Sequence, residues 1–157
     1  MRETALTCDP GDGALWVLPG VGTLRRTGRI SRAATAEADG RRWKIVRYGL
    51  VRTGFTASDE TGAVVGELRN PFQRRGEMLR WAGRDLTLRA DKARAGGYLL
   101  FDGERLLAGM APKRNGRRPL HIAIEDPAVD PGLLLLMAFV VQAYADDASF
   151  PQPMASG

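Results

Sequence analysis

The sequence predicts a mainly β protein: a closed antiparallel barrel of about twelve strands around a central hydrophobic C-terminal α-helix. About a dozen short apolar stretches are separated by turn residues, a spacing typical of barrels and sandwiches. Nineteen Gly and nine Pro follow no fixed period, which favours many turns. Residues 133–141 are apolar on every side of a helical wheel, so a helix there must be buried all round. A barrel threaded by this helix buries all of these side chains, whereas a helix lying on a sheet leaves one side wet.

The length and composition indicate a single domain, because 157 residues and 17.1 kDa allow one sizeable core. We predict a flexible leader at residues 1–12, one barrel domain at residues 13–148 and a flexible tail at residues 149–157. Cys8 is the only cysteine, which excludes an internal disulfide and a cysteine-clustered metal site. No basic segment followed by an apolar run opens the chain, so we expect a cytoplasmic protein. Peripheral contact with the inner face of the membrane is left open.

The first half of the chain predicts six strands separated by turn signals. Pro19-Gly20 stops the first strand, and Asp39-Gly40 is a tight hairpin turn into the fourth. The fourth strand alternates basic with apolar side chains over part of its length, as a half-buried strand does. The predicted strands are residues 14–18, 21–27, 30–38, 41–48, 53–58 and 63–69.

The second half predicts further hairpins and then the helix. Asp102-Gly103-Glu104 is another Asp-Gly hairpin turn. The predicted strands are residues 77–81, 85–89, 98–101, 105–110 and 119–124. Asp130 can cap a helix N-terminus and Pro131 suits its first turn, so we predict a helix over residues 130–145. This run is too short to span a bilayer, which takes about 20 apolar residues.

The end of the chain resembles a known family. The strand end Ile122-Ala123-Ile124-Glu125-Asp126, a short link and the hydrophobic helix at residues 130–145 are similar to the Tubby-like superfamily. Its nearest branch is that of the small LURP-one-related and phospholipid-scramblase-like proteins, and the resemblance covers residues 14–147. It implies a closed twelve-stranded barrel around a central helix and a non-enzymatic protein associated with membranes or phosphoinositides. The chain departs from the lipid-binding and scramblase branches in having no cysteine-rich segment, no calcium loop and no second apolar span.

Basic side chains are the candidate ligand-binding residues. The formal net charge is +5 and comes mainly from arginine, whose planar fork suits phosphate oxygens. The densest cluster surrounds the flexible pair Asn115-Gly116, and a second cluster opens the strand at residues 41–48. Alternatively, these two basic clusters are solvated hairpin tips with no ligand. The predicted ligand-binding residues, for anionic lipid headgroups or other phosphates, are Lys113, Arg114, Arg117, Arg118, Arg41 and Arg42.

No residue pattern indicates catalysis, a cofactor or a metal. His121 is the only histidine, and in an apolar strand it is interpreted as a packed or surface residue. Glu125, Asp126 and Asp130 offer too few oxygen ligands at set spacing for a hard cation, and capping accounts for Asp130. We therefore predict a binding or scaffold module rather than an enzyme, with nucleic acid an unlikely partner and a protein partner and the oligomeric state left open. The alternatives are a pleckstrin-homology-like phosphate-binding module and an enzyme with a pocket in a β-sandwich.

Overall fold

The fold is a closed antiparallel barrel around one helix. The computed structural model describes residues 1–27, 32–49, 54–69, 77–113 and 117–149. Within these residues, neighbouring strands pair in chain order and β1 pairs with β12, which closes the barrel. The predicted fold class is therefore confirmed. The elements are β1 (Arg2–Asp9), β2 (Asp12–Leu18), β3 (Gly22–Arg26), β4 (Ala33–Ala38), β5 (Arg41–Tyr48), β6 (Gly54–Ser58), β7 (Val64–Arg69), β8 (Glu77–Trp81), β9 (Arg84–Ala90), β10 (Tyr98–Asp102), β11 (Arg105–Lys113), β12 (Arg117–Ile124) and α1 (Pro131–Ser149).

Both structural alternatives are excluded by this closure. A pleckstrin-homology-like module has seven strands and an amphipathic closing helix, and α1 has no polar face before Gln142. A β-sandwich has two separate sheets, whereas here a single sheet closes on itself. A closed sheet also leaves no strand edge with unpaired backbone groups, so this barrel needs no further edge protection.

Helix α1 is buried along nearly its whole length. Leu135, Leu136 and Val140 are 0% exposed, as a helix without a polar face requires. The predicted cap is confirmed, because the backbone N–H of Gly132 donates to Oδ1 of Asp130 over 2.9 Å. The helix extends to Ser149, beyond the predicted end at residue 145.

Close contacts fill the barrel where α1 begins. A Cβ atom on Gly132 would lie 2.6 Å from Cζ2 of Trp43 and 2.8 Å from Cζ2 of Trp81. A Cβ atom on Gly66 would lie 2.6 Å from Cε3 of Trp81 and 3.1 Å from Cδ2 of Leu136. Glycine at these positions lets the helix and the barrel wall approach at contact distance. The two indole rings lie 6.1 Å apart and close this end around the helix.

The prediction of a flexible leader at residues 1–12 is wrong for strand β1. Arg2–Asp9 pairs with β12 on one side and with β2 on the other, so the barrel domain begins at residue 2 rather than residue 13. Buried and exposed side chains do not alternate clearly along β1, because Leu6 is its only fully buried side chain. The position of β1 in the barrel is set by its backbone hydrogen bonds to β2, which follows it in the chain, and to β12, which is distant in the chain. Of the predicted tail at residues 149–157, Ser149 is the last residue of α1, and residues 150–157 lie outside the described residues.

Antiparallel order sends successive connections to alternate ends of the barrel. We call the end where α1 begins the Asp130 end. It carries the β2–β3, β4–β5, β6–β7, β8–β9, β10–β11 and β12–α1 connections. We call the opposite end, where α1 finishes, the Lys113 end. It carries the β1–β2, β3–β4, β5–β6, β7–β8, β9–β10 and β11–β12 connections.

Candidate functional site

The barrel interior is not a ligand site in its described part. Side chains of α1 and the inward side chains of the strands occupy it. A cavity of about 20 Å³ lies between α1 and strands β1 to β4, which is room for about one water molecule. The candidate site must therefore lie on the outer surface.

Arg41 and Arg42 lie at the Asp130 end and face carboxylates. Arg41 lies over the ring of Trp43, with its Cζ 4.6 Å from the ring centroid, and its Nη1 is 3.3 Å from Oδ1 of Asp130. Nη2 of Arg42 is 2.8 Å from Oε1 of Glu37. Both guanidinium groups thus have anionic partners within the protein.

The connections at the Asp130 end are acidic. Residues 19–21, 39–40, 59–63, 82–83, 103–104 and 125–130 are all described and contain no Lys or Arg. They contain seven carboxylate side chains: Asp39, Asp59, Glu60, Glu104, Glu125, Asp126 and Asp130. Arginines that open the adjoining strands pair with some of them, as Arg105 does with Asp126 at 3.2 Å. The remaining negative charge makes this end a poor surface for an anion.

Lys113 lies at the opposite end of the barrel from Arg41 and Arg42. It is the last residue of β11, and in the backbone register it lies opposite Arg117 of β12. Arg114 lies outside the described residues, and so do the side chains of Arg117 and Arg118. The two predicted clusters therefore cannot form a single surface, and only the cluster around Lys113 lies away from the acidic end.

Lys113 lines a groove on the outer face of β1, β11 and β12. The groove has a volume of about 490 Å³, and the β9–β10 connection at residues 91–97 forms one of its walls. Among the described residues, its charged and titratable lining residues are Glu3, Arg94, Lys113 and His121, and its other lining residues are alanines and prolines. Two cations and one carboxylate give this described lining a net positive charge, which suits an anionic group with a small apolar body.

Local turn chemistry brings Arg94 to this groove. The side chain of Asp91 accepts from the backbone N–H of Ala93 over 2.9 Å, and the N–H of Asp91 donates to the carbonyl oxygen of Gly97 over 2.8 Å. Gly96 has a φ of +73°, which favours glycine. The connection thereby folds back against the barrel beside the buried Ala111.

His121 lies at the centre of the groove. Its neighbours in the register are Ala5 of β1 and Ala111 of β11, so small side chains flank the imidazole and leave it 35% exposed. Nη1 of Arg94 lies 3.2 Å from its Nδ1. Nε2 lies 3.8 Å from Oε1 of Glu3.

The sequence interpretation did not find Glu3 or Arg94 as site residues and set His121 aside. Glu3 lies in the segment interpreted as a leader. Arg94 is one of many scattered arginines, and nothing near it in the chain distinguishes it. The sequence does show that His121 is the only histidine. That its cross-strand neighbours are alanines, which leaves the imidazole accessible, becomes visible only when the strand register is known.

Polar contacts between described residues join the barrel to the last turns of α1, and three of them pair Arg26 with Asp146, Arg47 with Asp147 and Glu77 with Tyr144. Nη2 of Arg26 lies 3.3 Å from Oδ2 of Asp146, and Arg47 donates from Nη1 and Nη2 to the two oxygens of Asp147. These arginines offset the unfavourable position of two carboxylates at a helix C-terminus, which the sequence alone does not explain. The contacts anchor the helix and do not form part of the groove.

The third contact joins Tyr144 to Glu77. The hydroxyl of Tyr144 donates to the carboxylate of Glu77, 3.0 Å from each oxygen. Burial raises the pKa of the Glu77 carboxyl, and the hydrogen bond from Tyr144 opposes that shift in part. Burial and the neighbouring carboxylate also raise the pKa of Tyr144.

Two aromatic side chains of β5 that lie among basic residues differ in burial. Trp43 is 2% exposed and belongs to the core, whereas Tyr48, the last residue of β5, is 42% exposed.

Among the described residues, no group of three or more His, Cys, Asp or Glu side chains could hold a metal ion. In the same part of the chain, no helix has both the length and the apolar content needed to cross a membrane. Comparisons with protein-family models, with curated proteins and with solved structures found no match to this chain.

Proposed function

We propose that this barrel is a non-catalytic binding module of the LURP-one-related, Tubby-like type that holds a phosphate-like anionic group at its Lys113 end. The observation that carries the proposal is the convergence of Arg94, Lys113 and His121 on one outer groove. Guanidinium and ammonium groups are the side chains that bind phosphate oxygens most strongly. A half-exposed groove gives them more effect than isolated surface charges, because less water surrounds the ligand.

The acidic connections at the Asp130 end favour one orientation of the barrel toward an anionic partner. Seven carboxylates in its connections repel an anionic surface, whereas the groove at the other end attracts one. The acidic connections at one end and the net positive lining of the groove therefore favour approach of a negatively charged partner through the groove. The ligand class that follows is a phosphate-bearing group, carried either by a membrane lipid or by a free molecule.

A binding role is supported by the chemistry of the groove. Its described lining residues include no Ser, Thr or Cys that His121 could activate as a nucleophile. The imidazole instead contacts a guanidinium and approaches a carboxylate. These partners arrange charge around a bound group and do not form the nucleophile and base pair of acyl transfer.

Vesicle co-sedimentation tests this function. The wild-type chain should sediment at low salt with vesicles that contain phosphatidylserine and not with pure phosphatidylcholine vesicles. Lys113→Glu should weaken binding about tenfold or more, since each basic side chain near such a surface contributes about 1 kcal/mol and the substitution reverses its charge. Lys44→Glu is the matched control, because Lys44 is exposed in the middle of β5 and outside the groove, and its net charge change is the same.

Competition with inorganic phosphate separates the two sources of the ligand. A free-phosphate site predicts that millimolar phosphate binds the wild-type chain in calorimetry without vesicles and displaces bound vesicles at the same concentration. A lipid site predicts vesicle binding that phosphate weakens only at high concentration. Negligible binding of anionic vesicles and of phosphate, or an equal loss in Lys113→Glu and Lys44→Glu, contradicts the proposal.

A further inference from the structure

The geometry of the groove points to proton-coupled anion binding: we propose that protonation of His121 releases Arg94, so that the groove holds anions more tightly as the pH falls. This rests on the function proposed above and adds the regulation of the same site. It depends on two distances, one from each ring nitrogen of His121 to a charged side chain.

The first distance defines the resting state of the groove. Nη1 of Arg94 lies 3.2 Å from Nδ1 of His121. A guanidinium group has donors and no acceptor, so Nδ1 accepts in this contact and the ring proton of the neutral imidazole lies on Nε2. One of the two fixed cations of the groove is thereby directed at the protein's own imidazole and is less available to a ligand.

The second distance defines the protonated state. A proton on Nδ1 removes the acceptor that Arg94 uses and places two like charges at contact distance, which drives the guanidinium away. The protonated ring keeps a partner, because Nε2 lies 3.8 Å from Oε1 of Glu3, within range of an ion pair. Arg94 loses its partner and becomes free to bind an anion in the groove.

The charges around His121 come from three neighbouring elements. Among the described residues, they are Glu3 from β1, Lys113 from β11 and Arg94 from the β9–β10 connection. Both cross-strand partners of the histidine are alanines and carry no charge. With a neutral ring these groups sum to +1, from two cations and one carboxylate; with a protonated ring they sum to +2.

Proton and anion therefore promote each other's binding. By linkage, the factor by which the proton raises anion affinity equals the factor by which the anion raises proton affinity. An added charge beside the ligand and a released guanidinium should together raise the affinity for a divalent anion about tenfold, which corresponds to about 1.4 kcal/mol. The same factor appears as a rise of about one pH unit in the titration midpoint of the histidine.

Proton NMR of the full chain tests this coupling directly. His121 is the only histidine, so its ring signals report its titration without ambiguity. The titration is recorded between about pH 5 and about pH 8, with and without sulfate, whose charge is constant over this range. Saturating sulfate should raise the midpoint by about one pH unit, and sulfate should bind about tenfold more tightly at the acidic end than at the basic end.

The control variant is His121→Gln, whose side-chain oxygen can accept from Arg94 but cannot take up a proton. It should bind sulfate with the same affinity at both pH values, and circular dichroism should verify that it folds. A tenfold pH dependence retained in His121→Gln overturns the proposal. Wild-type protein that binds sulfate equally at both pH values also overturns it, while leaving the anion-binding function standing. No sulfate binding at either pH overturns the coupling, and if anionic vesicles also fail to bind, the anion-binding function is overturned with it.

Discussion

Replacing Leu135 by alanine tests whether α1 is enclosed by the barrel. Leu135 is 0% exposed and lies within the run of α1 that is apolar all round. The substitution removes about three methyl or methylene groups and leaves a cavity that packed neighbours on every side cannot collapse. Comparable substitutions cost about 3 to 5 kcal/mol. With a urea dependence of about 2 kcal/mol per molar, the unfolding midpoint should fall by about 1.5 to 2.5 M.

Urea unfolding followed by tryptophan fluorescence measures this change. Trp16, Trp43 and Trp81 are each at most 5% exposed, so their emission should shift strongly when the barrel opens. Val64→Ala is the matched control, because Val64 is 59% exposed and its truncation should cost less than about 0.5 kcal/mol. Equal midpoints for Leu135→Ala and Val64→Ala would refute axial burial. Leu135→Asp should not fold at all, since an unpaired charge would enter a dry core.

Two further predictions concern single contacts at the two ends of α1. Asp130→Ala should lower the free energy of unfolding by about 1 to 3 kcal/mol, because the carboxylate accepts from the N–H of Gly132 and from Nε1 of Trp81. Asp130→Asn keeps an acceptor and should recover most of the lost stability in urea unfolding. Equal losses in the two variants would contradict a capping role. The pKa of Glu77 is raised in the folded state, so the folded protein binds this proton more tightly than the unfolded chain does. The free energy of unfolding should therefore fall as the pH rises from the unfolded-state pKa of Glu77 to its folded-state pKa, and should then level off. Glu77→Gln keeps a partner for Tyr144 and should lack this decrease when urea midpoints are compared between about pH 4 and about pH 7, and an identical pH profile would contradict the assignment.

Hairpins were predictable where the turn chemistry is local. Asp39 and Gly40 both adopt positive φ, 51° and 72°, which matches the hairpin turn predicted from the Asp-Gly pair. Gly103 has a φ of 62° in the Asp102-Gly103-Glu104 turn. A two-residue turn of this kind constrains its own backbone and therefore also the antiparallel pairing of the strands beside it.

Strand β1 and the groove were not predictable in this way. Arg2–Asp9 has little hydrophobic pattern, and its pairing with β12 joins residues more than a hundred positions apart. The contact between Arg94 and His121 spans 27 positions, and that between Glu3 and His121 spans 118. Strand register decides both contacts, and a shift by one residue would turn His121 to the barrel interior.

By itself, the sequence determined that a helix with no polar face needs enclosure and that the preceding strands must provide it, because burial of apolar surface depends on composition and local period. It also determined the turns, whose backbone angles depend on a few adjacent residues. Only the tertiary structure decided that the barrel closes through β1, that Arg41 and Arg42 lie at the acidic end, and that Lys113 lines one outer groove with Glu3, Arg94 and His121. These outcomes depend on the number of strands and their register, which are properties of the closed sheet as a whole.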